Sequence, residues 1–142
     1  MGFEPSARAQ ELIGQVDGFI RTEIEPVEAE LHAATKAAED PWEPQPTFKE
    51  LQAKARKQGL WNLFLPPAEP GNTQYGEGLS NLDYAPIAEL TGRSFIAPYV
   101  FNCNAPDTGN MEVLQLFGTD EHKEKWLKPL LAGETNSAFC MT

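Results

Sequence analysis

Apolar side chains at Ala9, Leu12, Ile13, Val16, Phe19, Ile20 and Ile24 recur at helical spacing and fall on one stripe. Ser6 precedes them as an N-cap, so the pattern predicts a helix over 6–25, about 30 Å long at the usual rise per residue. A rod of that length spans a whole small domain. Pro26 lacks an amide hydrogen and crowds the preceding turn. That predicts a kink or restart before Val27, Leu31 and an Ala-rich tail to about Ala38.

The segment 40–46 holds Pro41, Pro44 and Pro46 around Trp42 and reads as an extended connector. Thr47 and Glu50 form the S/T-x-x-E pattern of a capping box, with Phe48, Leu51 and Ala55 facing inward until Gly59 ends the helix. Leu60 to Leu65, LWNLFL, is an apolar segment expected to plug the core, and 66–78 is a Pro-, Gly- and Asn-rich surface loop. Ser80 caps the next helix, with Asp83 three residues on, Leu82, Ile87, Ala88 and Leu90 inward, and Gly92 near its end. A short helix around 98–103 places Tyr99, Val100 and Phe101 on a packed aromatic surface before the Pro106-Asp107-Thr108-Gly109 turn.

The last third reads as two short helices feeding one strand. The first covers 110–117 and closes at Gly118, which is free to turn left-handed. Thr119 caps the second, Asp120 and Glu121 favour its N-terminal dipole, and Lys123, Lys125 and Lys128 follow. Its apolar side is Trp126, Leu127, Leu130 and Leu131, and Gly133 stops it. The uncharged run over 137–142, SAFCMT, changes period and suits a buried strand.

The 142 residues are long enough for one domain with a substantial core. Eleven basic against twenty-one acidic residues give a net charge of −10, which argues against a nucleic-acid backbone or an anionic membrane as partner. No basic n-region opens the chain and no apolar run approaches a membrane span, so a soluble, cytoplasmic protein is expected. Cys103 and Cys140 lack a metal-ligand spacing and read as reduced, mostly buried thiols; His32 and His122 read as surface residues, and no metal site is expected.

Several of these words, taken in order, resemble the flavin-dependent acyl-CoA dehydrogenases. They are Ala105-Pro106-Asp107-Thr108-Gly109-Asn110-Met111, Gly118-Thr119 with Lys123, Trp126-Leu127-Lys128-Pro129-Leu130-Leu131, Gly133-Glu134, and Phe139-Cys140-Met141-Thr142. The wording is most similar to the branch whose animal members carry kinase-like domains. The resemblance implies an all-α fold: the N-terminal helical bundle over 1–136, with 137–142 opening a middle β domain that is truncated at the start of the flavin-binding motif.

The implied reaction is α,β-dehydrogenation of an acyl-CoA thioester to the trans-2-enoyl-CoA with FAD as cofactor. It requires a carboxylate base, donors to the thioester carbonyl and donors to the reduced flavin. By resemblance, Phe139, Met141 and Thr142 are candidate flavin contacts, with Thr142 offering a hydroxyl donor. Phe101, Asn104 and Thr108 are candidate acyl-tail contacts. The glutamate base belongs to a later helical domain, so no catalytic residue is expected here and the isolated chain is expected to be inactive. Electron-transfer flavoprotein is the implied acceptor and a homo-oligomer the implied full-length state. The competing readings are a helical interaction module, a subunit of a split enzyme, or a relative that uses the scaffold for oxidase or nitroalkane chemistry.

Overall fold

In the computed structural model, residues 4–40, 43–69 and 75–141 are described; Pro41, Trp42 and Thr142 lie outside them. The described residues form helices α1 (Ala7–Phe19), α2 (Glu25–Ala37), α3 (Pro46–Lys57), α4 (Asn81–Thr91), α5 (Ala97–Val100), α6 (Asp107–Phe117), α7 (Asp120–His122) and α8 (Lys128–Leu131). Two π turns, Ile20–Ile24 and Lys123–Leu127, join α1 to α2 and α7 to α8.

Pro26 therefore neither breaks nor restarts the helix, which runs on through the first π turn. A proline ring presses on the carbonyl four residues back, here that of Thr22, and leaves it without an amide partner. Widening the hydrogen-bonded ring by one residue, with Glu25 N–H donating to the Ile20 carbonyl, accommodates both. The second π turn repeats the device: Lys128 N–H donates to the Lys123 carbonyl, and Pro129 follows. Each wide turn ends two residues before a proline.

Ser6, Ser80 and Thr119 all cap as expected, each side-chain oxygen accepting the amide hydrogen three residues on. The Thr47 capping box does not form. Pro46 starts α3 instead, because its fixed φ and missing N–H suit the first helical position, and Gln45 becomes the cap without a side-chain bond. Gly59 and Gly133 take positive φ and close their helices with paired bonds, Leu60 N–H to Ala55 O and Gly59 N–H to Arg56 O in one, Glu134 N–H to Pro129 O and Gly133 N–H to Leu130 O in the other. Gly118 departs from expectation: it is extended, and glycine is needed there because a Cβ would collide with the Leu114 carbonyl oxygen.

Helix α4 packs along α1, and α3 meets α5. Leu12, Val16, Phe19, Ile20 and Ile24 are buried as the stripe requires, with Leu51, Leu60, Leu63, Ile87 and Phe101 in the same core. A second cluster of Phe64, Leu65, Met111, Leu127 and Leu130 binds α6 to α8. Leu60 to Leu65 thus plugs two cores at once. Trp126, expected on the inner face, is half-exposed, because the π turn directs Leu127 and Leu130 inward in its place.

Ser137 to Met141 shows no strand pairing, and all of it except Ser137 is exposed. A strand is completed only by a neighbour's ladder bonds. Cys140 is accordingly exposed, which corrects the expectation of two buried thiols, while burial pushes the Cys103 thiol up to about 11. A thiol reagent at mildly alkaline pH should modify one cysteine in the native chain, and Cys140→Ser should abolish that labelling. Rapid native modification of both thiols would contradict this burial pattern.

The start of α1 is tied to the start of α4: Ser6 N–H donates to Asp83 Oδ1 at 2.7 Å, and the Ser80 hydroxyl donates to Asp83 Oδ2 at 2.9 Å. These donors, the Ser6 amide foremost, hold the Asp83 carboxyl below its ordinary 3.8. Because the folded value is depressed, the stabilisation is complete above the ordinary value and lost as pH falls through the folded one. Asp83→Asn should cost roughly 0.5–1 kcal/mol at neutral pH, a figure reduced for solvent exposure, with the difference from the parent shrinking below pH 4. Urea midpoints at several pH values measure it; a difference that grows on acidification would refute the tie.

Candidate functional site

The candidate site is the end of the bundle where α6, the second π turn, α8 and the outgoing segment 134–141 meet. An open cleft of about 550 Å³ lies there, lined among others by Asn110, Val113, Leu114, Trp126, Leu130 and Ser137. Around it Val113, Leu116, Phe117 and Trp126 remain exposed. Lys125 Nζ lies 4.9 Å over the Trp126 ring.

Two polar clusters fix this end of the domain. In the first, the carbonyl oxygens at the end of α8 are taken by side chains from far along the chain. Trp61 Nε1 and Asn62 Nδ2 donate to the Leu131 carbonyl at 2.7 and 3.0 Å, Asn102 Nδ2 donates to the Leu130 carbonyl at 3.0 Å, and Arg56 donates to that of Ala132. The Arg56 guanidinium lies 3.9 Å over the Trp61 ring, and Asn102 also donates to Asn62 Oδ1 at 2.6 Å. Burial lowers the Arg56 pKa, with the Glu134 charge opposing. Both asparagines take positive φ, 57° and 54°, which asparagine tolerates better than most side chains.

In the second cluster the Asp107 carboxylate, 3% exposed at the start of α6, accepts from Asn104 Nδ2 at 2.9 Å and from Ser137 N–H at 2.6 Å. The Ser137 hydroxyl donates to the same carboxylate, and Asn110 Nδ2 donates to that hydroxyl oxygen at 2.8 Å. The N-terminal dipole of α6 favours the charge. Its burial is tolerable because these donors surround it.

The residues singled out from sequence fall in different places. Asn104 is buried beside Asp107, and Thr108 is half-buried in the first turn of α6, its amide donating to the Asn104 carbonyl at 3.1 Å. Phe101 is 0% exposed in the main core, its ring 5.4 Å from that of Phe19, and so stands behind the wall rather than on its surface. Phe139 and Met141 are 67% and 75% exposed on the outgoing segment, and Thr142 lies outside the described residues. Sequence reading missed Asp107 and Ser137 as partners, and the Arg56, Trp61, Asn62 and Asn102 group. Asp107 stood within a quoted motif, but nothing there pointed to a residue thirty positions on.

Residues 6–134 match the family model for the acyl-CoA dehydrogenase N-terminal domain, and so take in every helix from α1 to α8. The chain belongs to the acyl-CoA dehydrogenase family. Acyl-CoA dehydrogenase family member 11 of Gallus gallus is 48% identical over 143 residues, covering 99% of this chain and 17% of the relative. A protein of Mycobacterium tuberculosis named as a probable acyl-CoA dehydrogenase, FadE2, is 46% identical over 145 residues, covering 100% of this chain and 33% of its own. A solved structure of a putative acyl-CoA dehydrogenase from Mycobacterium abscessus superposes with a TM-score of 0.87 at 52% identity, covering 98% of this chain and 35% of that one. The all-helical architecture is therefore that of the acyl-CoA dehydrogenase N-terminal bundle. The chain spans between about a sixth and a third of the length of these relatives. Among the described residues no helix is long and apolar enough to cross a membrane, and no cluster of three His, Cys, Asp or Glu could hold a metal ion.

Proposed function

We propose that this domain is the N-terminal part of an FAD-dependent acyl-CoA dehydrogenase that converts an acyl-CoA thioester to its trans-2-enoyl-CoA. The observation that carries the reading is the position of Phe139 and Met141. They stand exposed on a segment that leaves a bundle of this family immediately after two hydrogen-bonded anchor points, Gly133 and Ser137.

The outgoing segment is proposed to serve one side of a flavin ring. Phe139 and Met141 offer exposed apolar surface to its face, while the Met141 amide and the Thr142 hydroxyl are the proposed donors to its polar edge. Bound FAD would supply the acceptor for the hydride leaving the β-carbon. The chain's own residues are proposed to exclude water: Val113, Leu114 and Trp126 line the apolar side of the cleft, and Leu116 and Phe117 add exposed apolar surface on the same helix, α6. Asn104 and Thr108 are the proposed contacts along the acyl tail, with Phe101 supporting them from the core. The carboxylate base is proposed to lie in a later helical domain. Residues 137–142 are proposed to form a strand by pairing within the β domain, since 137–141 show no strand pairing here. Acyl-CoA as substrate, electron-transfer flavoprotein as acceptor and a homo-oligomeric assembly complete the proposal.

A flavin-fluorescence titration tests the division of labour. The 142-residue chain should bind FAD weakly or not at all, and a version extended past Thr142 through the β domain should bind it tightly. Tight binding by the short chain would refute the proposal, as would an extended protein that folds and ignores FAD.

A further inference from the structure

We propose that Asp107 is a positioning residue whose bond to Ser137 fixes where the chain departs toward Phe139 and Met141, so that one buried carboxylate aligns the flavin contacts with the acyl-tail wall. The inference rests on the functional reading above and adds a residue role to it.

The geometry isolates this one tie. Of residues 134–141, Ser137 alone is not exposed; its neighbours on both sides face solvent. It is held through both its amide and its hydroxyl by Asp107, and through its hydroxyl oxygen by Asn110. The next fixed point upstream is the closed end of α8 at Gly133. Phe139 lies two residues beyond Ser137; without the bonds that hold Ser137, it lies five beyond the last fixed amide, that of Glu134. Until the segment pairs within the β domain its reach grows as the square root of length, from roughly 8 Å to roughly 12 Å. That is far more freedom than a hydride-transfer geometry tolerates.

The other carboxylate oxygen meets a proposed tail contact. Asn104 donates to it, and the Thr108 amide donates in turn to the Asn104 backbone carbonyl. One proposed tail contact, Asn104, is thus bonded to the group that holds the flavin-side segment, and the other, Thr108, follows that group in the first turn of α6. A carboxylate that served only to cap α6 would not need a partner thirty residues away, and a side-chain hydroxyl or amide at the preceding cap position would serve as well at lower cost in desolvation.

The test uses the full-length flavoprotein and two variants, Asp107→Asn and Ser137→Ala. Asn at 107 turns one of its two acceptor positions into a donor, which opposes a donating neighbour. Ala at 137 removes the hydroxyl bonds while leaving the carboxylate and α6 intact. Asp107→Asn should lower kcat by roughly tenfold or more, with a smaller change in KM, and shift the absorption spectrum of the bound flavin at temperatures well below unfolding. Ser137→Ala should move both readouts in the same direction by less. If Asp107→Asn fails to fold, Ser137→Ala decides alone. An active parent whose variants keep its kcat and flavin spectrum overturns the inference, even if their melting temperatures fall. A parent that folds yet holds no flavin overturns the functional reading, and this inference with it.

Discussion

Phe101→Ala should destabilise the domain by about 3–5 kcal/mol, the range for truncating a fully buried aromatic ring. Phe101 is wholly inaccessible and meets Phe19 edge to face at an interplanar angle of 63°. Removing the ring opens a cavity beside Phe19, in the core that also holds Leu12, Val16, Ile20 and Leu63. Domains of this size are stable by about 5–15 kcal/mol, so the loss takes a large share of the total. Phe101→Leu, which keeps most of the volume, should lose much less. Urea denaturation of both variants measures the difference. An alanine variant of parental stability, altered only in acyl-chain preference, would mean that the ring faces the tail after all.

Asn102→Ala should cost about 2–4 kcal/mol, from two sources that can be separated. The first is backbone: φ is 54°, where a Cβ without a compensating polar contact costs about 1 kcal/mol. The second is the stranding of Asn62 Oδ1, which loses the amide that donates to it, while the Leu130 carbonyl keeps the Gly133 amide. A buried acceptor without its donor costs about 1–3 kcal/mol. Asn102→Gly removes the first cost and keeps the second, so it should be milder by about 1 kcal/mol. Asn102→Asp should be the worst, because it sets a carboxylate against an amide oxygen and backbone carbonyls. Equal stability of the alanine and parent chains would show that the end of α8 is held by other contacts.

The parts of this structure that could be read in sequence are those encoded within a few residues. Ser6, Ser80 and Thr119 stand directly before apolar periodic runs and bond to amides three positions on, so type and spacing suffice. Gly59 and Gly133 likewise mark their helix ends locally. Pro26 signalled a disturbance, but whether the helix breaks or absorbs it depends on packing at both flanks. Ile24 and Leu31 are both buried, and the π turn keeps them so. The pattern favoured a cap at Thr47 and left Pro46 to the connector, whereas Pro46 is the first residue of α3.

The site was less legible because its bonds are distant. Trp61 meets the Leu131 carbonyl seventy residues away, Asn102 meets that of Leu130 twenty-eight away, and Asp107 meets Ser137 thirty away. Backbone carbonyls have no residue identity to read, so nothing in the pattern distinguishes Asn62 or Asn102 from loop asparagines. The motif around Asp107 carried the family resemblance without revealing what the carboxylate holds. Phe101 illustrates the converse: its place beside the motif suggested a tail contact, whereas its burial is set by α1.

The most direct test of the account is anaerobic titration of the full-length flavoprotein with saturated acyl-CoA thioesters of graded chain length, followed by the absorbance of the oxidised flavin. For at least one chain length the flavin should bleach stoichiometrically and the trans-2-enoyl-CoA should be recovered. A well-folded, flavin-loaded protein that no acyl-CoA bleaches would contradict it.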